Sequence, residues 1–371
     1  MHVWLVNPFD PIPGEGFKRM RYMSLAEALI GVGHRVTWWS SGFSHMTKRS
    51  RLVEGMWLEP EFDYRIATLP VRPYKAHLGW ARWMSHRDYA LQLREHAGRM
   101  VADDPPDLVL VSLPPAGAVR TVLQLCQPRG IPVVAALQDI WPEALYGLLP
   151  APARWLAWPA MAALRASERM LIRRCDALLA VSYTYARRGL GGGEPESADR
   201  PVHVLYLGID LREFDREAAT VRGTVARPGL GDPLRVIFAG TVGHFCDMPT
   251  VIAAASLLQS NASPVEIRVC GAGPWLDRLR RRAEQLRLRN VQFHGRVSQQ
   301  EMTRHLLACE VGLNAYGPRA PHTITNKLFD YAAAGLAILN SVPGEVAELV
   351  CDYAEVEREK STQMLSDEEK D

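Results

Sequence analysis

Apolar positions in this chain come in short blocks rather than singly. VWLV at 3 to 6, RVTWW at 35 to 39, DLVLVS at 107 to 112, PVVAAL at 132 to 137 and ALLAVS at 177 to 182 are rich in Val, Leu and Ile, with polar or turn residues between them. Runs of this length without a polar alternation predict strands buried on both faces. Between the runs the spacing turns helical, most clearly from Met23 to Ile30. Strand and helix in strict alternation predict right-handed crossovers onto a parallel sheet.

The alternation then stops and starts again. GLGGGEPESADRP, from Gly189 to Pro201, carries three successive glycines and reads as a surface loop near a boundary. After VHVLYL and GIDLREF a polar stretch runs to Asp232, where the hinge is expected, and the domains are drawn as 1–205 and 206–371. A second set follows: LRVIFAG at 234 to 240, a helix through Ala253 to Leu258, EIRVCGAG at 266 to 273, a basic helix to Leu288, NVQFHGRV at 290 to 297, EVGLNAY at 310 to 316 and LAILNS at 336 to 341. The fold class is therefore α/β, with two doubly wound, Rossmann-like parallel-sheet domains. Open parallel sheets bind ligands at the carboxyl ends of their strands, so a cleft between the two is the expected site.

Composition narrows the function classes. A length of 371 residues exceeds one ordinary core, and 47% hydrophobic with 23% charged residues suits a soluble enzyme-like body. Lys and Arg exceed Asp and Glu by 24 to 19 through residue 200 and fall behind by 19 to 22 beyond it. So weak a contrast excludes a nucleic-acid binder and leaves an acidic acceptor or an anionic membrane surface open for the first half. The six cysteines form no CxxC pair, which suggests neither a zinc site nor a disulfide framework; no metal ligand is expected, and reduced thiols fit cytosol. MHVWLVNPFD lacks a basic leader and reads as a strand rather than an export signal. The stretch from Ile140 to Leu164 is broken by Glu143, Arg154 and four prolines, so it does not span a bilayer. Trp155 and Trp158, followed by Arg165, Arg169, Arg173 and Arg174, suit a helix at a lipid interface or one packed on its own sheet.

Several segments carry possible chemistry. Gly14 and Gly16 leave the first strand ahead of a helix, with Lys18, Arg19 and Arg21 beside them; the turn suits an anion, or is only a turn with solvated cations. Gly240 and Gly243, and then Gly271 and Gly273, repeat the strand–glycine–helix pattern in the second half. HTITNKLFDYAAAGLAIL leads polar residues into a helix with Lys327 and Asp330 one turn apart and Gly335 at its end. Lys327 could meet a phosphate and Asp330 a ribose, although spacing alone favours a solvated pair. Asp139 and Glu143 in QDIWPE follow a strand and could orient an acceptor hydroxyl or take its proton, or cap a helix. His45, in SSGFSHMTK, is open to either reading.

The order of these pieces carries more than any one of them. NPFDPIPGEGFKRMRY, GHRVT, LPP, QDIWPE, ERMLIRRCDALLAVS, GIDLREF, FAGTVG, GAGP, NVQFHGRVSQQEM and TNKLFDYAAAGLAIL occur in sequence up to about Val350. In this the chain resembles glycosyltransferase family 4, of the GT-B fold, and within it bacterial cell-surface polysaccharide transferases such as N-acetyl-L-fucosamine transferases. The resemblance implies a retaining, metal-independent transferase. Its co-substrate would be a nucleoside-diphosphate sugar, UDP-linked foremost, with no other cofactor. The acceptor would be a saccharide or a lipid-linked saccharide, and the location cytoplasmic, at or near the inner membrane face. Gly295, Arg296 and Val297 would lie near the base and Asp330 at the ribose. Gly240, Thr241, Gly271, Asn326 and Lys327 would surround the diphosphate. Gly14, Gly16, Arg19, His45 and Glu143 would face the acceptor, with Asp139 and Lys327 in catalytic roles.

The chain also departs from the family. Asp330 holds the second place of an acidic pair whose first place is His322. Thr241 and Cys246 stand where many relatives have Arg and Lys, and Gln138 where others have His, which passes the better candidacy to Asp139. Relatives continue with another strand, further helices and a final helix crossing back to the first domain; 21 residues follow Val350 here, implying a shortened second domain. Two other readings stay open: a nucleotide-sugar epimerase on the same fold, and an inactive binding or assembly subunit.

Overall fold

The computed structural model describes residues 1–51, 57–58, 64–75, 79–139, 146, 149–225, 229, 231–317, 320 and 324–353. Glu143, His322 and the chain after 353 lie outside the described residues. The described chain divides into two compact units, Met1–Tyr206 and Leu207–Asp371.

The N-terminal unit is built on β1 (His2–Val6), β2 (Arg35–Ser41), β3 (Trp57–Leu58), β4 (Arg65–Leu69), β5 (Leu108–Leu113), β6 (Val133–Leu137), β7 (Ala177–Ala180) and β8 (Val202–Val204), in the order β3-β4-β2-β1-β5-β6-β7-β8. Only the two-residue β3 runs antiparallel. All five residues of β1 are buried, the pattern expected of a strand with helices on both faces. Helices α1 (Arg21–Gly31), α2 (Trp80–Asp103), α3 (Ala116–Cys126), α4 (Ala151–Arg174) and α5 (Tyr183–Leu190) provide that cover. Tyr22, Met23 and Ala26 of α1 turn inward at helical spacing and join Val3, Leu5, Val36, Trp38 and Ile66 in one cluster.

The sequence allowed two placements for α4, at a lipid interface or packed on its own sheet, and the helix is buried along only part of its length. Met161, Glu168, Leu171 and Ile172 are buried, whereas Trp155, Leu156 and Trp158 near its start stand 87%, 85% and 60% exposed. Among the described residues no helix is long and apolar enough to cross a membrane.

The C-terminal unit carries β9 (Leu234–Ala239), β10 (Val265–Cys270), β11 (Val291–Gly295), β12 (Val311–Asn314) and β13 (Ala337–Asn340), all parallel, in the order β11-β10-β9-β12-β13. Its helices are α6 (Leu211–Val221), α7 (Met248–Ser260), α8 (Leu276–Gln285), α9 (Gln299–Leu307) and α10 (Asn326–Ala333). The polar stretch ending at Asp232, expected to be the hinge, lies within this unit instead. Its GIDLREF segment starts α6, capped by Asp210, and Phe214, Ala218 and Val221 bury against Ile237, Leu306 and Tyr331. An amphipathic helix reads as polar when three of its eleven residues supply the whole apolar stripe.

Three of the five helices in this unit, α6, α7 and α9, start on a side-chain cap, and α8 and α10 do not. Asp247 caps α7, and Ser298 with Glu301 forms a full capping box on α9. Helix α10 differs: Thr325 gives its hydroxyl to Asn314 Oδ1 at 3.2 Å and makes no cap bond. The helix is held from its far end instead, where the Tyr331 hydroxyl accepts from the Ala239 amide and donates to the Leu313 carbonyl. Gly312 is the counterpart of that ring, since a Cβ there would lie 2.3 Å from it.

Candidate functional site

In the C-terminal unit the strand exits are laced together. The Gly240 amide donates to the Cys270 carbonyl at 2.9 Å, Val242 to Ala272 at 3.0 Å, and Gly271 to Gly295 at 2.7 Å. A Cβ on Gly271 would fall 1.7 Å from the Gly240 oxygen, and one on Gly273 2.2 Å from the Val242 oxygen. Glycine at both places is thus a condition of the contact between the two turns. The Gly240 and Gly271 amides are thus engaged within the fold, which leaves the turn's other amides to meet an anion. Among the described residues the neighbouring Thr241 and Gly243 amides have no acceptor.

Lys327, on the first turn of α10, is only 7% exposed. Its Nζ lies 4.0 Å from the centroid of the Phe238 ring and 4.6 Å from that of Tyr316, with no hydrogen-bond partner among the described residues. Viewed from Gly240, Nζ is 3.7 Å from the point where a Cβ would stand. The solvated Lys327–Asp330 pair suggested by spacing is therefore not what the fold makes: the lysine is buried with its Nζ unpartnered among the described residues, and Asp330, three residues on, is half-buried.

Burial pushes the Lys327 ammonium down to about 8. The two aromatic faces recover part of the lost hydration through cation–π attraction. An uncapped helix start, two unengaged turn amides and a desolvated cation all favour an anion at this place.

Asn326 is exposed at the first position of α10. Gly295 ends β11 in the left-handed region, φ 71°, with Arg296 exposed and Val297 packed in the core beside α9. Cys246 is buried and donates its thiol to the Thr241 carbonyl at 3.1 Å.

The N-terminal unit gathers a second group at the exits of β1, β2 and β6. Asn7 accepts from the Phe9 and Asp10 amides and donates to Gln138, next to Asp139. Arg51, buried and outside the sequence reading, fixes the Gly14–Gly16 loop: it forks onto both Glu15 oxygens at 3.0 and 2.8 Å and also reaches Ser40, Ser41 and the Asp10 carbonyl. Burial would raise the Glu15 pKa, but Arg51 and the Ile12 amide outweigh it and hold the carboxyl below its ordinary value. Gly14 and Gly16 both take positive φ.

Arg19 pairs with Glu27 at 3.0 Å, an engagement its placement beside the glycine turn did not anticipate. His45 lies 2.6 Å from the Tyr74 hydroxyl and edge-on to Phe9, whose ring also meets His86 and the Arg82 guanidinium. Burial first, then Arg82, pushes His86 down to about 3, so it stays neutral and is no proton carrier near pH 7. Tyr74, Arg82 and His86 were missed because they sit on a loop and on the long, weakly amphipathic α2.

The buried cation has a consequence for stability. Lys327 is charged in both folded and unfolded states below about pH 8 and carries the full desolvation cost there; the cost is relieved as pH rises from about 8 to 10.5. Lys327→Met is therefore expected to raise the ligand-free midpoint at pH 7, by up to roughly 3 kcal/mol, with the gain shrinking toward pH 10. Urea titrations at both pH values check this, and a methionine variant no more stable at pH 7 contradicts it.

Comparisons with known proteins agree with this architecture. Residues 21–213 match the model for Glycosyltransferase Family 4, and residues 233–365 that for Glycosyl transferases group 1. Similar solved structures include a sucrose-phosphate synthase from Thermosynechococcus elongatus, 13% identical with a TM-score of 0.63, covering 93% of this chain and 82% of that one. HepE of Anabaena in complex with UDP is 13% identical with a TM-score of 0.58, over 97% and 91%. WaaG, a glycosyltransferase involved in lipopolysaccharide biosynthesis, is 17% identical with a TM-score of 0.57, over 95% and 84%. A comparison with curated protein sequences returned no match. Likeness at these identities establishes the GT-B fold, and with a family model spanning more than half its residues the chain belongs to glycosyltransferase family 4.

Proposed function

We propose that the protein transfers a sugar from a nucleoside-diphosphate sugar to a saccharide or lipid-linked saccharide, with retention of configuration and without a metal at the diphosphate. The observation that carries this is the unpartnered Lys327 ammonium beneath Gly240, at the uncapped start of α10. A diphosphate supplies the counter-charge that the protein withholds. As the glycosidic bond breaks, negative charge grows on the leaving diphosphate, so Lys327 and the Thr241 and Gly243 amides act most strongly at the transition state. A cation already stripped of water needs little reorganisation at that moment.

Uridine is the base we favour, since HepE of similar fold was obtained with UDP. Gly295, Arg296 and Val297 would meet the base along the backbone, Asn326 would lie at the diphosphate, and Asp330 would accept from the ribose. The acceptor belongs to the N-terminal unit, where the Arg51–Glu15 clamp fixes the Gly14–Gly16 loop and Asp139 orients or deprotonates the hydroxyl. The exposed Trp155, Leu156 and Trp158 of α4, followed by Arg165, Arg169, Arg173 and Arg174, would rest this unit on an anionic membrane face in the cytoplasm, near a lipid-linked acceptor.

A thermal-shift panel of nucleoside-diphosphate sugars should give a clear rise with at least one of them, lost in Lys327→Met, which should also lower turnover by roughly a hundredfold or more. No rise with any diphosphate, or turnover kept within about twofold, would remove Lys327 from the mechanism. Transfer to an acceptor, against conversion of the donor alone, separates a transferase from an epimerase. Sedimentation with phosphatidylglycerol-containing vesicles should weaken about tenfold in a Trp155→Ser, Trp158→Ser double variant; unchanged binding would discard the membrane face.

A further inference from the structure

Cys270, His294 and His305 come from three different elements of the C-terminal unit: the last residue of β10, the penultimate residue of β11 and helix α9. Their Sγ and ring nitrogen atoms all lie within 4.8 Å of one another. The convergence follows from the register. Val269 pairs with Phe293 but Cys270 with Gly295, so His294 is an extra, unopposed residue at a bulge on the edge strand. The imidazole of His305 closes over it, with ring centroids 4.2 Å apart.

Polar groups this close normally satisfy one another, and these do not. The Nε2 atom of His294 is buried without a partner, and among the described residues none of the three side chains makes a hydrogen bond. A thiol and two imidazoles are the donor set of a borderline-soft divalent ion. Around tetrahedral zinc, with bonds of about 2.3 Å to sulfur and about 2.0 Å to nitrogen, such ligand atoms stand roughly 3.3–3.6 Å apart. Rotamer-scale adjustment of the three side chains closes the difference.

We propose that Cys270, His294 and His305 form a three-ligand site for a borderline-soft divalent cation, zinc being the best match, with a fourth position open to water. Binding exchanges the Cys270 S–H bond for a metal–sulfur bond and releases the proton to solvent. Arg268, a cation close to the cluster, pairs with Glu266 at 3.6 Å. Because Cys270 precedes Gly271 and His294 precedes Gly295, an ion here would staple α9 behind the turns that carry Gly271 and Gly295. Cysteine spacing could not reveal the set, since its members are 24 and 11 residues apart in sequence and two are histidines.

The full chain, stripped with a chelator, should take up one equivalent of Co²⁺ with a thiolate-to-cobalt charge-transfer band. Zn²⁺ should displace the cobalt and raise the melting temperature. Cys270→Ser should abolish the band, and His305→Gln should weaken binding about tenfold or more, whereas replacing the exposed Cys351 by Ser should change neither. A missing band, or one that survives in folded Cys270→Ser, overturns the site. If the serine variant does not fold, unchanged Zn²⁺ affinity in His305→Gln does so.

Discussion

The constraint on which the C-terminal unit depends is a lysine ammonium kept out of water without an anion. Folding does not require Lys327 to be there. Its neighbours Leu328 and Tyr331 hold α10 against the sheet, and the cation is carried along beneath Gly240. Phe238 and Tyr316 face it with ring surfaces rather than carboxylates, which lessens the desolvation cost without neutralising the charge. A fold that bears this cost keeps its binding energy for a ligand that brings the missing charge.

Around that residue the other features act as positioning. Tyr331 bonds to β9 and β12 at once and fixes the axial setting of α10. Gly312 makes room for the ring, while Gly271 and Gly273 let the strand-exit turns touch. The N-terminal unit uses the opposite device: the Arg51 charge is also buried, but Glu15 and three backbone or hydroxyl contacts hold it in full. A satisfied buried pair gives shape to a loop, whereas an unsatisfied charge invites a ligand.

Much of the fold was legible in the sequence because strands buried on both faces announce themselves as apolar runs. VWLV, DLVLVS and LRVIFAG all fall in parallel strands. Helices were harder: α6 hides three apolar residues among charges, and α4 changes environment along its length. For the candidate site, the sequence singled out Lys327 and the glycine turns, but spacing alone favoured a solvated lysine where the fold buries it. Burial depends on Phe238 in β9 and Tyr316 just beyond β12, both distant in sequence from α10. Arg51, Tyr74, Arg82 and His86 were invisible for the same reason, their roles being set by what they meet across the fold.

Proton linkage tests the central claim most directly. Titrating a nucleoside-diphosphate sugar, whose diphosphate does not ionise near neutrality, by calorimetry at pH 9 in buffers of different ionisation enthalpy gives the protons exchanged on binding. With free Lys327 titrating at about 8 and the bound ammonium paired to phosphate, the account predicts uptake approaching about one proton, absent in Lys327→Met. Binding with no proton uptake at that pH, or with the same uptake in the methionine variant, would contradict it.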